Sequence, residues 1–234
     1  MFAIMKRDFR SYFNSPIAYV LIGLFMLLLG LFFNSMIGYG SDIMSQFVST
    51  MSSLLLFIVP ILTMRSMAED KKNGTEVLLL TSPVRVTEIV LGKFLAAFSV
   101  FLVMTGVTLI FPLITIVAGK PDIALILSSY FGYILLGAIF ISLGIFASSL
   151  TENQIIASII SLVSIFLIQN IGYLASFFSG FLNKAFLWLS VTDRYEDFSI
   201  GIIDLTSIIF MICYAAVFLI LTVRIIERKR WSQG

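Results

Sequence analysis

Long apolar runs separated by short polar breaks dominate this chain, and their lengths predict helices that cross a membrane. Runs at 17–38, 43–64, 86–118, 123–150, 154–178 and 205–223 carry few charges or none, and each comes close to or exceeds the roughly 20 residues that span a hydrocarbon core. The pattern predicts an all-α integral membrane fold, a single domain over 1–234 with six transmembrane helices. Pro60 predicts a kink in the second span and Pro112 a bend in the third, because a proline ring removes one backbone hydrogen bond. The fourth span holds Gly132, Gly137 and Gly144, small residues that let helices approach closely in lipid, for packing within the chain or for dimerisation.

The segments between the runs have patterns of their own. Over 1–15, Phe2, Met5, Phe9, Tyr12 and Phe13 recur at helical spacing opposite Lys6, Arg7 and Arg10, which predicts a basic helix lying in the membrane interface and ending before Pro16. The stretch 65–93 places nine formal charges between two apolar runs, and at roughly 2.5–3.5 kcal/mol per charge at mid-bilayer it does not cross. Asn73-Gly74 and Ser82-Pro83 punctuate it, so the loop over 65–85 reads as a helix, a turn, a short amphipathic helix and a second turn before the next span. Residues 179–204 mix Trp188, Tyr195 and several Phe with six charges, which predicts short re-entrant or interfacial helices at the outer face. Gln169 and Asn170, adjacent amides in the fifth run, need partners there; an interhelical hydrogen bond and a contact in a transport pathway are both open.

Composition and charge narrow the class. The 234 residues are 59% hydrophobic and 12% charged, too apolar for a soluble domain. Twelve of the 15 Lys and Arg fall at the N-terminus, in the stretch 65–93 and at the C-terminus, which predicts both termini in the cytoplasm of a multi-pass cell-membrane protein. A net charge of +2 does not suggest nucleic-acid binding. There is no His and one Cys, so no metal-ligand cluster or disulfide framework is expected, and Cys213 reads as a buried, inert thiol. The first apolar run has no small-residue cleavage site, so it is expected to remain in the mature protein. Gly92-Lys93 is followed by Phe94 and lacks the first glycine of a phosphate cradle, so the chain is expected to bind no nucleotide or other cofactor and to have no catalytic residue.

The run GTEVLLLTSPVRVTEIVLGKFLAA, preceded by RSMAEDKKN and set between the second and third of six spans, closely resembles the permease subunits of ABC-2 type exporters, also called type V ABC transporters. The segments KRDFRSYFNSPIAYV and DRYEDFSIGIIDL look like the same family, nearest its gliding-motility, sodium-export and copper-maturation branches. The resemblance implies that two permease chains, identical or paralogous, form the pathway. It also implies two cytosolic ABC ATPase subunits, which carry the ATP and Mg and bind the permeases through the interfacial helix, with Lys6, Arg7 and Arg10, and through a coupling helix in the first inner loop. On this sequence the coupling helix falls around Met67–Asn73, with Arg65, Glu69, Asp70, Lys71, Lys72 and Asn73 as polar contacts; Gly74, Thr75 and Pro83 form the turn that returns the chain to the membrane.

The function expected is thus a non-catalytic permease subunit of an ATP-driven exporter. With 23 Phe, 10 Met and few polar side chains in the spans, an amphipathic or lipid-like substrate is favoured. The alternative is a force-transmitting membrane scaffold that drives extracytoplasmic machinery without moving cargo. The near absence of ionisable groups inside the spans lowers a third reading, an ion-coupled carrier.

Overall fold

The computed structural model describes residues 1–36, 43–75, 84–118 and 123–232, which are helical almost throughout and contain no strand. Twelve helices occur among them: α1 (Phe2–Asn14), α2 (Pro16–Met36), α3 (Ile43–Thr63), α4 (Arg65–Lys72), α5 (Val86–Thr108), α6 (Ile110–Ala118), α7 (Ile123–Leu150), α8 (Gln154–Gln169), α9 (Ile171–Ala175), α10 (Phe181–Leu189), α11 (Val191–Ser199) and α12 (Leu205–Ser232). Five helical runs are long and apolar enough to cross a membrane: Pro16–Ser35, Met44–Lys72, Val86–Ile116, Ile123–Leu150 and Leu205–Arg228. The chain is therefore a multi-pass membrane protein.

The sequence-predicted breaks have visible causes. Ser15 is held extended (φ −93°, ψ 147°) by the ring of Pro16, which separates α1 from α2. Helix α3 continues through Pro60, and Met64 keeps helical angles (φ −54°, ψ −33°), so α4 follows α3 almost directly. The third expected span divides at Leu109. Pro112 has no N–H for the carbonyl of Thr108, and the Tyr130 hydroxyl donates to that carbonyl instead, at 3.2 Å.

The expected fifth span, 154–178, is not one span-length helix. Asn153 caps α8, its side chain accepting from the N–H of Ile155, but the helix stops after 16 residues. That is about 24 Å against a core of about 30 Å. Asn170 leaves the helical region (φ −102°, ψ 12°), and its side-chain amide donates to the Phe166 carbonyl at 2.8 Å, a local bond that competes with the backbone ladder. Gln169 donates across to the Ser52 carbonyl of α3 at 3.2 Å.

Helix α7 is the hub, packed against α3, α5, α8, α11 and α12. Its three glycines are contact points. A Cβ at Gly144 would overlap the Thr63 side chain, one at Gly137 the Phe101 ring and one at Gly132 the Phe198 side chain. At the end of the bundle far from α4, α11 lies across the hub with Val191, Tyr195 and Phe198 buried. Its Phe198 carbonyl accepts from Ser128 (2.7 Å), and its Tyr195 hydroxyl donates to the Val48 carbonyl (3.2 Å). The segment 179–204 thus contains two short helices, with a turn at Gly180 (φ +73°). Cys213, expected to be buried, is instead exposed on α12, whose outward face is apolar enough to hold a thiol against lipid.

Gly144→Ala is expected to destabilise the protein by about 1–3 kcal/mol through overpacking at Thr63. Gly30→Ala, at a position with open space, should leave stability unchanged or slightly higher. Thermal unfolding in detergent micelles checks both.

Candidate functional site

The charged residues gather where α1, α4 and α5 meet. Lys93 lies one and a half to two turns inside α5, on a face packed against α1, and its side chain is only 3% exposed. Taking an ammonium out of water costs several kcal/mol unless carboxylates face it. Two do so, from two other helices. Asp8 of α1 places Oδ2 3.2 Å from the ammonium, and Asp70 of α4 forms a second ion pair with it. Lys93 also donates to the carbonyl of Ser66. Arg7 completes the cluster, donating from Nε to Asp8 at 2.8 Å and reaching Asp70 at 3.8 Å.

Gly92 lets α1 come this close: a Cβ there would press at 3.1 Å on Ile4 and at 3.2 Å on the Met1 carbonyl. The Tyr12 hydroxyl adds a bond to the Leu62 carbonyl of α3 at 2.9 Å. Burial, then the charges of Asp8 and Glu69, push the Tyr12 phenol well above its ordinary range, so it remains a donor.

A second set of bonds fixes α4 to the hub. Met64, at the N-cap of α4, supplies no side-chain cap, and Ser148 of α7 takes that role. Its hydroxyl accepts from the N–H groups of Met67 (3.1 Å) and Ala68 (3.0 Å) and donates to the Met64 carbonyl (3.0 Å). Lys71, buried, donates to the Ser149 carbonyl. At its other end α4 stops at Asn73, with Gly74 in the left-handed region (φ +70°) that a glycine adopts without strain. The Thr75 hydroxyl folds back to the Asp70 carboxylate at 2.8 Å.

The sequence-predicted coupling residues therefore divide by position. Asp70 and Lys71 point into the fold; Arg65 and Glu69 are half-buried; Lys72, Asn73 and Gly74 are exposed, as are Lys6, Arg7 and Arg10 on α1. Thr75 is half-buried, while residues 76–83, Pro83 among them, lie outside the described residues. Gln169 and Asn170 are remote, at the end of α8 beside α3 and α11. Sequence reasoning missed Lys93, Asp8, Tyr12 and Ser148. Two signals were present: Lys93 is a charge inside an apolar run, and Asp8 shares the spacing of Met5, Phe9 and Tyr12 on the inward side of α1.

Between α1, α4 and the head of α2 lies a cleft of about 240 Å³, lined among others by Ser11, Tyr12, Ser15, Ile17, Arg65 and Glu69. No group of His, Cys, Asp and Glu among the described residues has a metal-binding arrangement.

Burial alone would raise the Asp70 carboxyl. The Lys93 charge and hydrogen bond, the Thr75 hydroxyl and Arg7 together hold it below its ordinary 3.8. A depressed acid contributes its stability above the unfolded pKa and loses it as pH falls through the folded one. The tie is thus expected to be fully formed above about pH 4 and to loosen only below that. Lys93→Gln, which leaves two carboxylates facing each other, should cost on the order of 3 kcal/mol and raise amide hydrogen exchange in α1 already at pH 7.

Residues 4–224 match the family model described as ABC-2 family transporter protein. No curated protein matches the chain.

Proposed function

The chain belongs to the ABC-2 family of transporter proteins, and on that premise we propose that it is the membrane-spanning, non-catalytic permease subunit of an ATP-driven exporter. ATP and Mg are bound by separate cytosolic ABC ATPase subunits, two per complex, and a second permease chain, identical or paralogous, completes the pathway. The observation that carries this reading is the paired presentation of α1 and α4. Their exposed polar residues, Lys6 and Arg10 on one and Lys72 and Asn73 on the other, stand on helices bound to one buried lysine.

In this account α4 is the coupling helix and α1 the interfacial helix, both on the cytoplasmic side with the basic end of α12 in the cell membrane. Arg65, Glu69, Lys72 and Asn73, with Lys6, Arg7 and Arg10, form the side offered to the ATPase. Asp70 and Lys71 act from inside, keeping α4 in place. Closure of the ATPase pair displaces α4, and the Ser148 and Lys71 bonds pass the displacement to α7. The sixth crossing is made by α8 and α9 together, with α10 and α11 seated at the outer interface.

The substrate is amphipathic or lipid-like. The exposed side of α3 supports this, with Gln46, Ser49 and Ser53 toward its Ile43 end and Phe57, 57% exposed, further along. A scaffold that transmits force to outer machinery is the second reading, favoured by the exposed aromatic group Tyr173, Phe177, Phe181 and Trp188 near the far end.

The test is recovery of the ATPase with the tagged chain from native membranes. Wild type should bring down a nucleotide-binding subunit and show no ATP hydrolysis by itself. Reversal of Lys6, Arg10 and Lys72 to Glu should lower recovery roughly tenfold or more. Undiminished recovery in that variant, or hydrolysis by the isolated chain, would contradict the reading. In vesicles with the ATPase, saturable ATP-dependent cargo movement separates exporter from scaffold.

A further inference from the structure

At the end of the molecule far from α4, the third span changes from a packed helix to a loosely held one. Helix α5 buries side chains along its whole length, Thr105 and Thr108 included. Beyond Leu109, the described side chains of α6 are Ile110, Leu113, Ile114 and Ile116, all exposed, Thr115, half-buried, and Phe111 with Pro112, both buried. Few buried contacts mark an element that opens readily. The joint also lacks one rung of the helical ladder, because Pro112 has no N–H for the Thr108 carbonyl. Tyr130 of α7 donates to that carbonyl at 3.2 Å, and its hydroxyl lies 3.2 Å from the Thr108 hydroxyl, so the end of α5 is fixed to the hub while the start of α6 is not. Such a break is suited to act as a hinge.

One ring fastens the hinged segment. Phe111 meets Phe33 near the end of α2 and Phe47 near the start of α3, with ring centroids 5.0 Å away in both cases, and those two rings meet edge-on at 5.6 Å. All three rings are buried, in the tilted and edge-on arrangements that aromatic pairs favour. We propose that Phe111 is a latch and α6 a flap: withdrawal of this ring from Phe33 and Phe47 swings α6 about Leu109 and opens the far ends of α2 and α3, beside the exposed Gln46. Motion of a stiff segment about a few residues at its end is one of the established forms of conformational opening. Lipid is as apolar as the rings, so release sacrifices packing without exposing the segment to water, and the two positions remain close in energy. The latch and the hinge follow from the packing and the proline alone. That the opening lets cargo leave on the outer side rests on the exporter reading.

Spin labels on Leu31→Cys and Leu113→Cys, both exposed positions, with Cys213 replaced by serine, report the separation of α6 from α2 in the full-length chain in nanodiscs. Phe111→Ala is expected to move that separation by roughly 5 Å or more, while a second label pair on α7 and α12, Leu127→Cys with Ile209→Cys, keeps its wild-type value. Phe33→Ala should give the same shift as Phe111→Ala, and Ile110→Ala, at an exposed neighbour, should give none. In the complex assembled with its ATPase, the wild-type pair should stay at the latched separation without nucleotide and move to the Phe111→Ala separation with ATP. An unchanged separation in Phe111→Ala, an equal shift in Ile110→Ala, or a shift of the α7 and α12 pair as well would reduce Phe111 to ordinary packing and overturn the latch. A flap that opens in Phe111→Ala yet stays shut with ATP in the assembled complex overturns its role in exit. Failure to recover any ATPase with the chain contradicts the exporter reading instead, and the measurement on the isolated chain still decides the latch.

Discussion

One buried ammonium organises the end of the molecule where α1, α4 and α5 meet. Lys93 sits in a helix that otherwise belongs to the apolar interior, and α1 and α4 each bring a carboxylate to its ammonium. The energetic requirement works in both directions. Without Asp8 and Asp70 the lysine would be an uncompensated buried charge; without the lysine the two acids would repel each other across the same gap. Helices that are far apart in sequence are thereby obliged to keep one arrangement. The small residue next to it, Gly92, allows the backbone of α1 to approach closely enough for the pairs to form.

Around that tie, hydrogen bonds do the rest of the positioning. Ser148 takes the place of the N-cap that α4 lacks, and Lys71 reaches the carbonyl one residue further along α7. A short, highly charged helix is thus attached to the most buried helix of the bundle, the one into which Thr63, Phe101 and Phe198 pack at its glycines. On the proposed function this is a means of passing work inward: a push on α4 would be resisted by α5 and α1 through charge and delivered to α7 through hydrogen bonds. The aromatic end of the molecule is built differently: the Phe198 carbonyl of α11 accepts from Ser128, and its Thr192 and Tyr195 hydroxyls donate to the Gln169 and Val48 carbonyls.

How much of this can be read in the residues depends on the range of the interaction. Span lengths were legible because charge is excluded from hydrocarbon, and that exclusion acts residue by residue. The breaks before Pro16 and near Pro112 were legible for the same local reason. The short α8 was not: Asn170 ends it by bonding to the Phe166 carbonyl, while Gln169 is engaged by Ser52 and Thr192, partners from distant segments. The resemblance assigns a coupling role to the segment that forms α4, yet the inward direction of Asp70 and Lys71 depends on Lys93 and Ser149, which proximity in sequence does not reveal. Asp8 and Lys93, 85 positions apart, each looked out of place in its own pattern, and only the fold explains one by the other.

The central claim is that α1 and α4 form one mechanical unit through Lys93. Spin labels on cysteines at Lys6 and Asn73, with Cys213 replaced by serine, measure it directly in the assembled complex with its ATPase. The label separation should stay within roughly 2 Å between the nucleotide-free and ATP-bound states; a change of more than about 5 Å would show that the two helices move independently and would contradict the account.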